Sequence, residues 1–317
     1  KFQDYRKILS QRLGTQNTYN KQQGNPTGAD GYSLGYGRYA VDVLVPAFIA
    51  AYTGEDPTKV ALIKQQNSNI KSNPFSGILP KPNWSIAYNG LSRIPGLDKI
   101  FTNFSLTHAY NASLGMNSFT SALYYRDVSQ YGYPSFIDTT GGSHNYIPYF
   151  LVPNITIQEQ FAPLLGVDMT FTNQLSLKFG YTKQRQLSLS LIDYQLSEVR
   201  STEITFGGGF RKRGLKLPFK VPFSKKDTKK LDNEINFNLA FSIRNNVTSN
   251  SILDQNSAFA TNGSKEITIS PTLDYYISNR INIKLYFEQR RVNPYISSSA
   301  PTIDTRAGVQ VRISLAP

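Results

Sequence analysis

Gly31-Tyr32-Ser33-Leu34-Gly35 has the spacing of a nucleophile elbow, in which a serine on a sharp strand-to-helix turn is activated by a histidine and an acid. The chain holds only two histidines, His108 and His144, and the motif lies in a stretch rich in Gly, Asn, Gln and Ser with no strand before it. A tight loop accounts for the five residues better than a hydrolase does. Gly35-Tyr36-Gly37-Arg38-Tyr39-Ala40 spells a dinucleotide fingerprint without the parallel βαβ unit that would give it meaning. Gly207-Gly208-Gly209 reads as a strand bend or a close backbone approach. The absence of Cys excludes disulfides, thiolate metal sites and a Cys nucleophile. Two histidines are too few for a His-rich metal cluster. No catalytic residue, cofactor or metal is expected, and the sequons at Asn83, Asn103, Asn111, Asn154, Asn246 and Asn262 are what Asn- and Ser-rich turns produce by chance.

The formal charge is +13, which suggests nucleic acid until its distribution is examined. Arg211, Lys212, Arg213, Lys216, Lys220, Lys225, Lys226, Lys229 and Lys230 face only Asp227 within residues 211–231, a net +8 of that total. The charge is thus one local run, interrupted by Pro218 and Pro222, and not a groove lining. Nucleic acid is not an expected partner. The run reads as a basic outer loop, for which lipopolysaccharide headgroups are the nearest anionic partner, or as a solvated charge run.

Two kinds of element must carry whatever the chain does. Over residues 1–80, Phe2, Tyr5, Ile8, Leu9 and Leu13 recur at helical spacing. Val45–Tyr52 also reads as helix, with Gly54 as its stop and Asp56-Pro57 opening a second short helix. Residues 14–37 read as loop, and Pro74, Pro80 and Pro82 mark a linker. The longest apolar run, Val43–Tyr52, is half of what a spanning helix needs. If the chain crosses a membrane, it does so as β-barrel strands.

From residue 83 onward the period is two. Ile235, Phe237 and Leu239 alternate with Asn236 and Asn238, and the same strand continues through Ser242 and Arg244. Ile283, Leu285 and Phe287 alternate with Asn282, Lys284 and Glu288, and Val309 and Val311 alternate with Gln310 and Arg312. Alternation over about ten residues, repeated many times, is the pattern of an outer-membrane barrel; sandwich strands average only five or six residues. The apolar set is expected to face lipid and the polar set a wet lumen. Tight turns are expected at Tyr110-Asn111-Ala112, Thr172-Asn173-Gln174, Asn245-Asn246 and Ser278-Asn279-Arg280, with a short link at Gln184-Arg185 and a bulge at Pro163. Longer loops are expected at 91–100, 125–153, 211–233, 255–264 and 293–303. That gives about twelve strands in residues 81–317, an even number, with tight turns at the periplasmic end and long loops outside. With no leader before Lys1, the chain is expected to be part of a longer one. A self-contained twelve-stranded porin and a soluble β-rich adhesin are the alternatives.

Asp42-Val-Leu-Val-Pro-Ala-Phe-Ile-Ala-Ala-Tyr-Thr-Gly54 resembles a signature of the SprA/Sov family, and Pro80-Lys-Pro-Asn-Trp-Ser-Ile-Ala-Tyr-Asn-Gly-Leu-Ser-Arg-Ile-Pro95 resembles another. Phe104–Tyr110, Ile155–Phe161 and Ile267–Pro294 carry further similarity, so the resemblance runs from about residue 40 to the end. The family comprises the giant outer-membrane translocons of the type IX secretion system of Bacteroidetes, which are also required for gliding motility. The resemblance implies the C-terminal portion of a much larger single-chain barrel that exports folded cargo from the periplasm. It implies as partners the rest of such a chain, a PorV-like shuttle barrel, a periplasmic plug protein and cargo with a C-terminal signal domain. Residues 1–80 would then lie in the periplasm or inside the barrel, in the cell outer membrane.

Overall fold

Alternation of apolar and polar residues forces side chains to opposite faces of a pleated strand, and long runs of it make long strands. The computed structural model describes residues 1–65, 82–116, 118–139, 144–214, 234–255, 258–278, 281–296 and 298–314. Its strands are β1 Trp84–Tyr88, β2 Phe101–Gly115, β3 Thr120–Ser121, β4 Phe150–Leu151, β5 Asn154–Phe171, β6 Leu175–Ser190, β7 Gln195–Arg213, β8 Glu234–Ile252, β9 Ala258–Ser278, β10 Ile281–Pro294 and β11 Thr302–Ile313. β3 and β4 pair with each other. The remaining nine form one antiparallel sheet in the order β1-β2-β5-β6-β7-β8-β9-β10-β11. Each long strand follows the last as a meander. Among the described residues β1 and β11 are not paired with each other, so the sheet is open at both edges.

Among the described residues the twelve expected strands become nine in this sheet, because three expected turns are strand interior. Asn111 pairs with Gln160 in β5. Gln184 and Arg185 pair with residues of both β5 and β7. Asn245 lies between Thr202 and Lys265, and Asn246 between Ser201 and Ser264. Asn tolerates turn geometry, but a position between two ladder partners satisfies its backbone groups on both sides, and tertiary pairing overrides that local preference. The turn expected around Asn173 does separate strands, Asn279 and Arg280 of the last expected turn lie outside the described residues, and the register slips between Phe161 and Leu165, around Pro163, as expected.

Merging strands also changes which links share an end of the sheet. One end, the turn end, carries the links over 89–100, 172–174, 214–233 and 279–280 and the end of β11. The other, the helix end, carries those over 116–153, 191–194, 253–257 and 295–301 and the start of β1. Both ends therefore mix short and long links, and the expected segregation of tight turns from long loops does not hold. An odd count places the start of β1 and the end of β11 at opposite ends, where an even count had them together. The basic link between β7 and β8 leaves from the same end as the tight turn at 172–174, so tight turns inside and this link outside cannot both be right.

The N-terminal residues fold largely as their spacing requires. α1 spans Phe2–Gln16 and buries Arg6, Leu9, Ser10, Leu13 and Gly14, a single stripe at helical spacing. α2 covers Thr18–Gln22 inside the expected loop, capped by the Asn17 side chain accepting from the Tyr19 N–H. α3 spans Val41–Thr53 and buries every residue from Asp42 to Ala50, as a helix with apolar residues all round must, Asp42 being the one charged group among them. Gly54 ends it at φ 81°, a left-handed position that suits glycine. The second helix expected at Asp56 is only a turn, in which Asp56 accepts from the Thr58 N–H and hydroxyl. Leu9, Leu44, Val45, Phe48 and Ile49 pack on Phe150, Val152, Ile155, Ile157, Leu187, Leu189, Leu191 and Leu253. The helices and the 116–153 link thus cap one face of the sheet at the helix end.

Candidate functional site

The two faces of the sheet are the candidate site, and the register assigns each side chain to one of them. Leu187 stands opposite Ile157 and Glu198, Phe179 opposite Phe206, Phe206 opposite Phe241, and Phe241 opposite Ile269. Leu285 stands opposite Leu273 and Val309. By this chain of pairs Ile235, Phe237, Leu239, Ile283, Leu285, Phe287, Val309 and Val311 share one face. Asn236, Asn238, Ser242, Arg244, Asn282, Lys284, Glu288, Gln310 and Arg312 share the other. Strand pairing thus puts the two sets on opposite faces of the sheet. Away from the helices the apolar face is open: Phe237, Leu285, Val309 and Val311 are 38%, 41%, 67% and 56% exposed.

The polar face carries charge of both signs in cross-strand pairs. Arg244 Nη2 lies 2.9 Å from Glu203 Oε2, directly across the β7–β8 ladder. Arg290 donates from Nε and Nη2 to the two Glu266 oxygens at 2.7 and 2.8 Å. Lys178 meets Asp168 at 3.4 Å, and Arg211 and Arg213 both hold Glu234. Exposed pairs of this kind stabilise by only about 0–1 kcal/mol each. Their larger consequence is that the face presents no strong field of either sign.

Arg211, Lys212 and Arg213 are corrected from loop to strand, since all three pair with β8. Lys225, Lys226, Lys229 and Lys230, with Lys216 and Lys220, lie outside the described residues. Ser33 is 2% exposed, and its N–H donates to Ser10 Oγ. Gly35 holds φ 76°, and a Cβ there would fall 2.2 Å from the Tyr146 ring, so the glycines of this motif serve the loop. His108 Nδ1 lies 2.7 Å from the Leu164 carbonyl oxygen in the sheet.

The joint between helices and sheet was not foreseen. Arg6, 1% exposed, forms a bidentate pair with Asp254 in the β8–β9 link, with Nη1 at 3.2 Å from Oδ2 and Nη2 closer still to Oδ1. Burial works to raise the Asp254 carboxyl, but hydrogen bonds from Arg6 and Tyr39 hold it below its ordinary value. The two residues are 248 positions apart, and no spacing rule links them. Nearby, Glu198 accepts from Arg185 at 2.6 Å and from Arg200 at 2.8 and 2.9 Å, while Arg185 lies 5.6 Å over the Tyr52 ring of α3. Asp42 is buried with Oδ1 unpartnered, and burial pushes its carboxyl up to about 7, against a hydrogen bond with Gln65.

The face contacted by the helices is the one that carries the apolar set, because Ile157, Leu187 and Leu189 belong to it. An N-terminal segment inside the barrel and an apolar face toward lipid are therefore incompatible expectations. Compared with known proteins, the chain matches no family model and no curated relative.

Proposed function

We propose that this chain is part of the wall of an outer-membrane protein-conducting translocon of the type IX secretion kind, with the apolar face toward lipid and the polar face toward an aqueous passage. The observation that carries this reading is an antiparallel meander whose central strands run 16 to 21 residues, one face open and apolar and the other polar. Soluble proteins rarely leave so large an apolar face open. Charges of both signs on the polar face suit the passage of varied cargo without tight binding. The motif resemblance supplies the secretion system, the export of folded cargo and the shuttle and plug partners.

An open sheet of nine strands favours a segment of a larger barrel over a self-contained porin. Bacterial single-chain barrels close with an even strand number, and two unpaired edges are a liability that further strands would remove. The test is to delete the gene's segment encoding this chain in its own bacterium and follow cargo with a C-terminal signal domain. Cargo retained in the periplasm supports the reading; cargo still reaching the surface sinks it. Separately, the chain alone giving stable small-solute conductance in a planar bilayer would favour the porin.

A further inference from the structure

The apolar face has a definite border toward the helix end. The register carries one row across the sheet on that face, from Trp84 through Tyr110, Phe161 and Lys183 to Asn245 and Lys265. On the turn-end side of this row the outward positions are largely apolar, as from Ile235 to Ile243, roughly 27 Å of strand at about 3.4 Å per residue. Allowing for strand tilt, that approaches the ~25 Å apolar band of a membrane barrel. At and beside the row the chemistry changes. Trp84, the chain's single Trp, is 42% exposed and stacks on Tyr110 at 4.4 Å. Lys183 and Lys265 lie in the row, Arg185 and Arg200 one outward position beyond it, and Arg291 one position inside it. The acids on this stretch of the face are Glu198, held between Arg185 and Arg200, and Glu159, which accepts from the Tyr110 hydroxyl at 3.0 Å. Cations exceed acids by five to two. Past the row the apolar positions Ile157, Leu187 and Leu189 are covered by the helices.

Resting on the wall reading above, we propose that this row is the membrane–water boundary of the leaflet at the helix end and that its cations take the phosphates of anionic lipid headgroups. Trp84, stacked over the buried Tyr110, sits at such a border where an amphipathic ring is half wet. Long Lys and Arg stems lie along the apolar wall while their heads reach the headgroups. The helices occupy the apolar strand surface above the lipid, which explains why strands longer than the band needs carry apolar residues on this face past its border.

The test uses the protein taken from its membrane into nanodiscs of phosphatidylcholine or phosphatidylglycerol brominated at shallow or deep chain positions. Trp84 emission is isolated as the difference between wild type and Trp84→Phe. Shallow bromines are expected to quench Trp84 more than deep ones, and phosphatidylglycerol more than phosphatidylcholine. Lys183→Gln, Lys265→Gln and Arg291→Gln together should abolish that lipid preference while keeping the depth order. The expected loss is about fivefold for each cation removed, the fold-change equivalent of about 1 kcal/mol per surface cation. Deep bromines quenching best would overturn the boundary but leave the wall. Equal quenching by both lipids, or a preference abolished by millimolar inorganic phosphate alone, would overturn the headgroup site. No quenching by any brominated lipid would overturn the wall and this inference with it.

Discussion

Arg6 is a cation with almost no access to water, so its pair with Asp254 is the most consequential single contact at the joint. Removing one partner of a buried pair leaves the other uncompensated. Arg6→Ala is expected to destabilise the docking of α1 by about 3 kcal/mol, at the low end for buried pairs because Asp254 stays 20% exposed. Limited proteolysis should then cut within residues 1–54 well before the sheet is attacked; unchanged cleavage would show that the pair contributes little. Asp42 makes a pH prediction. Its folded carboxyl titrates at about 7 against an ordinary 3.8, so between those values the folded state retains a proton that the unfolded chain releases. Stability that is whole below about pH 4 is therefore lost as pH rises to about 7 and is level above it. Asp42→Asn removes that dependence. It should match wild type in acid and exceed it by a few kcal/mol at pH 8, read as the pH profile of thermal unfolding; parallel profiles would refute the buried-acid account.

At the scale of elements, the long strands explain both what the alternation conveyed and what it hid. Period two persists through Asn111, Gln184 and Asn245, and a polar pair in the middle of such a run looks like a turn when its partners are unknown. Those partners lie on neighbouring strands tens of residues away, and only pairing reveals that the backbone continues. Hydrogen exchange separates the alternatives directly. The amides of Asn245 and Asn246 are expected to be as protected as those of Phe241 and Ile243, whereas a turn would exchange them orders of magnitude faster. The helices were legible where a face was periodic, as in α1, or where a run was almost wholly apolar, as in α3. α2 was missed because five residues give no period, and its Asn17 cap was the only local signal.

For the whole molecule, the partition into two faces has an energetic consequence. Leu285→Arg, on the open apolar face, is expected to cost about 2–4 kcal/mol if that position lies near the bilayer midplane, and Asn282→Arg on the other face little. Folding titrations into lipid vesicles would measure both, and equal costs would refute the proposed orientation of the faces. The sequence by itself determined that the chain is β-rich after residue 83, which side chains share a face, and that helices precede the strands. It could do so because side-chain periodicity is a local property of the backbone. The tertiary structure decided the number of strands, the links that share an end, the side of the sheet on which the helices sit, and the row joining Trp84 to Lys265. Those depend on hydrogen-bonded register between distant segments, and a register is a relation between two strands that neither strand carries alone.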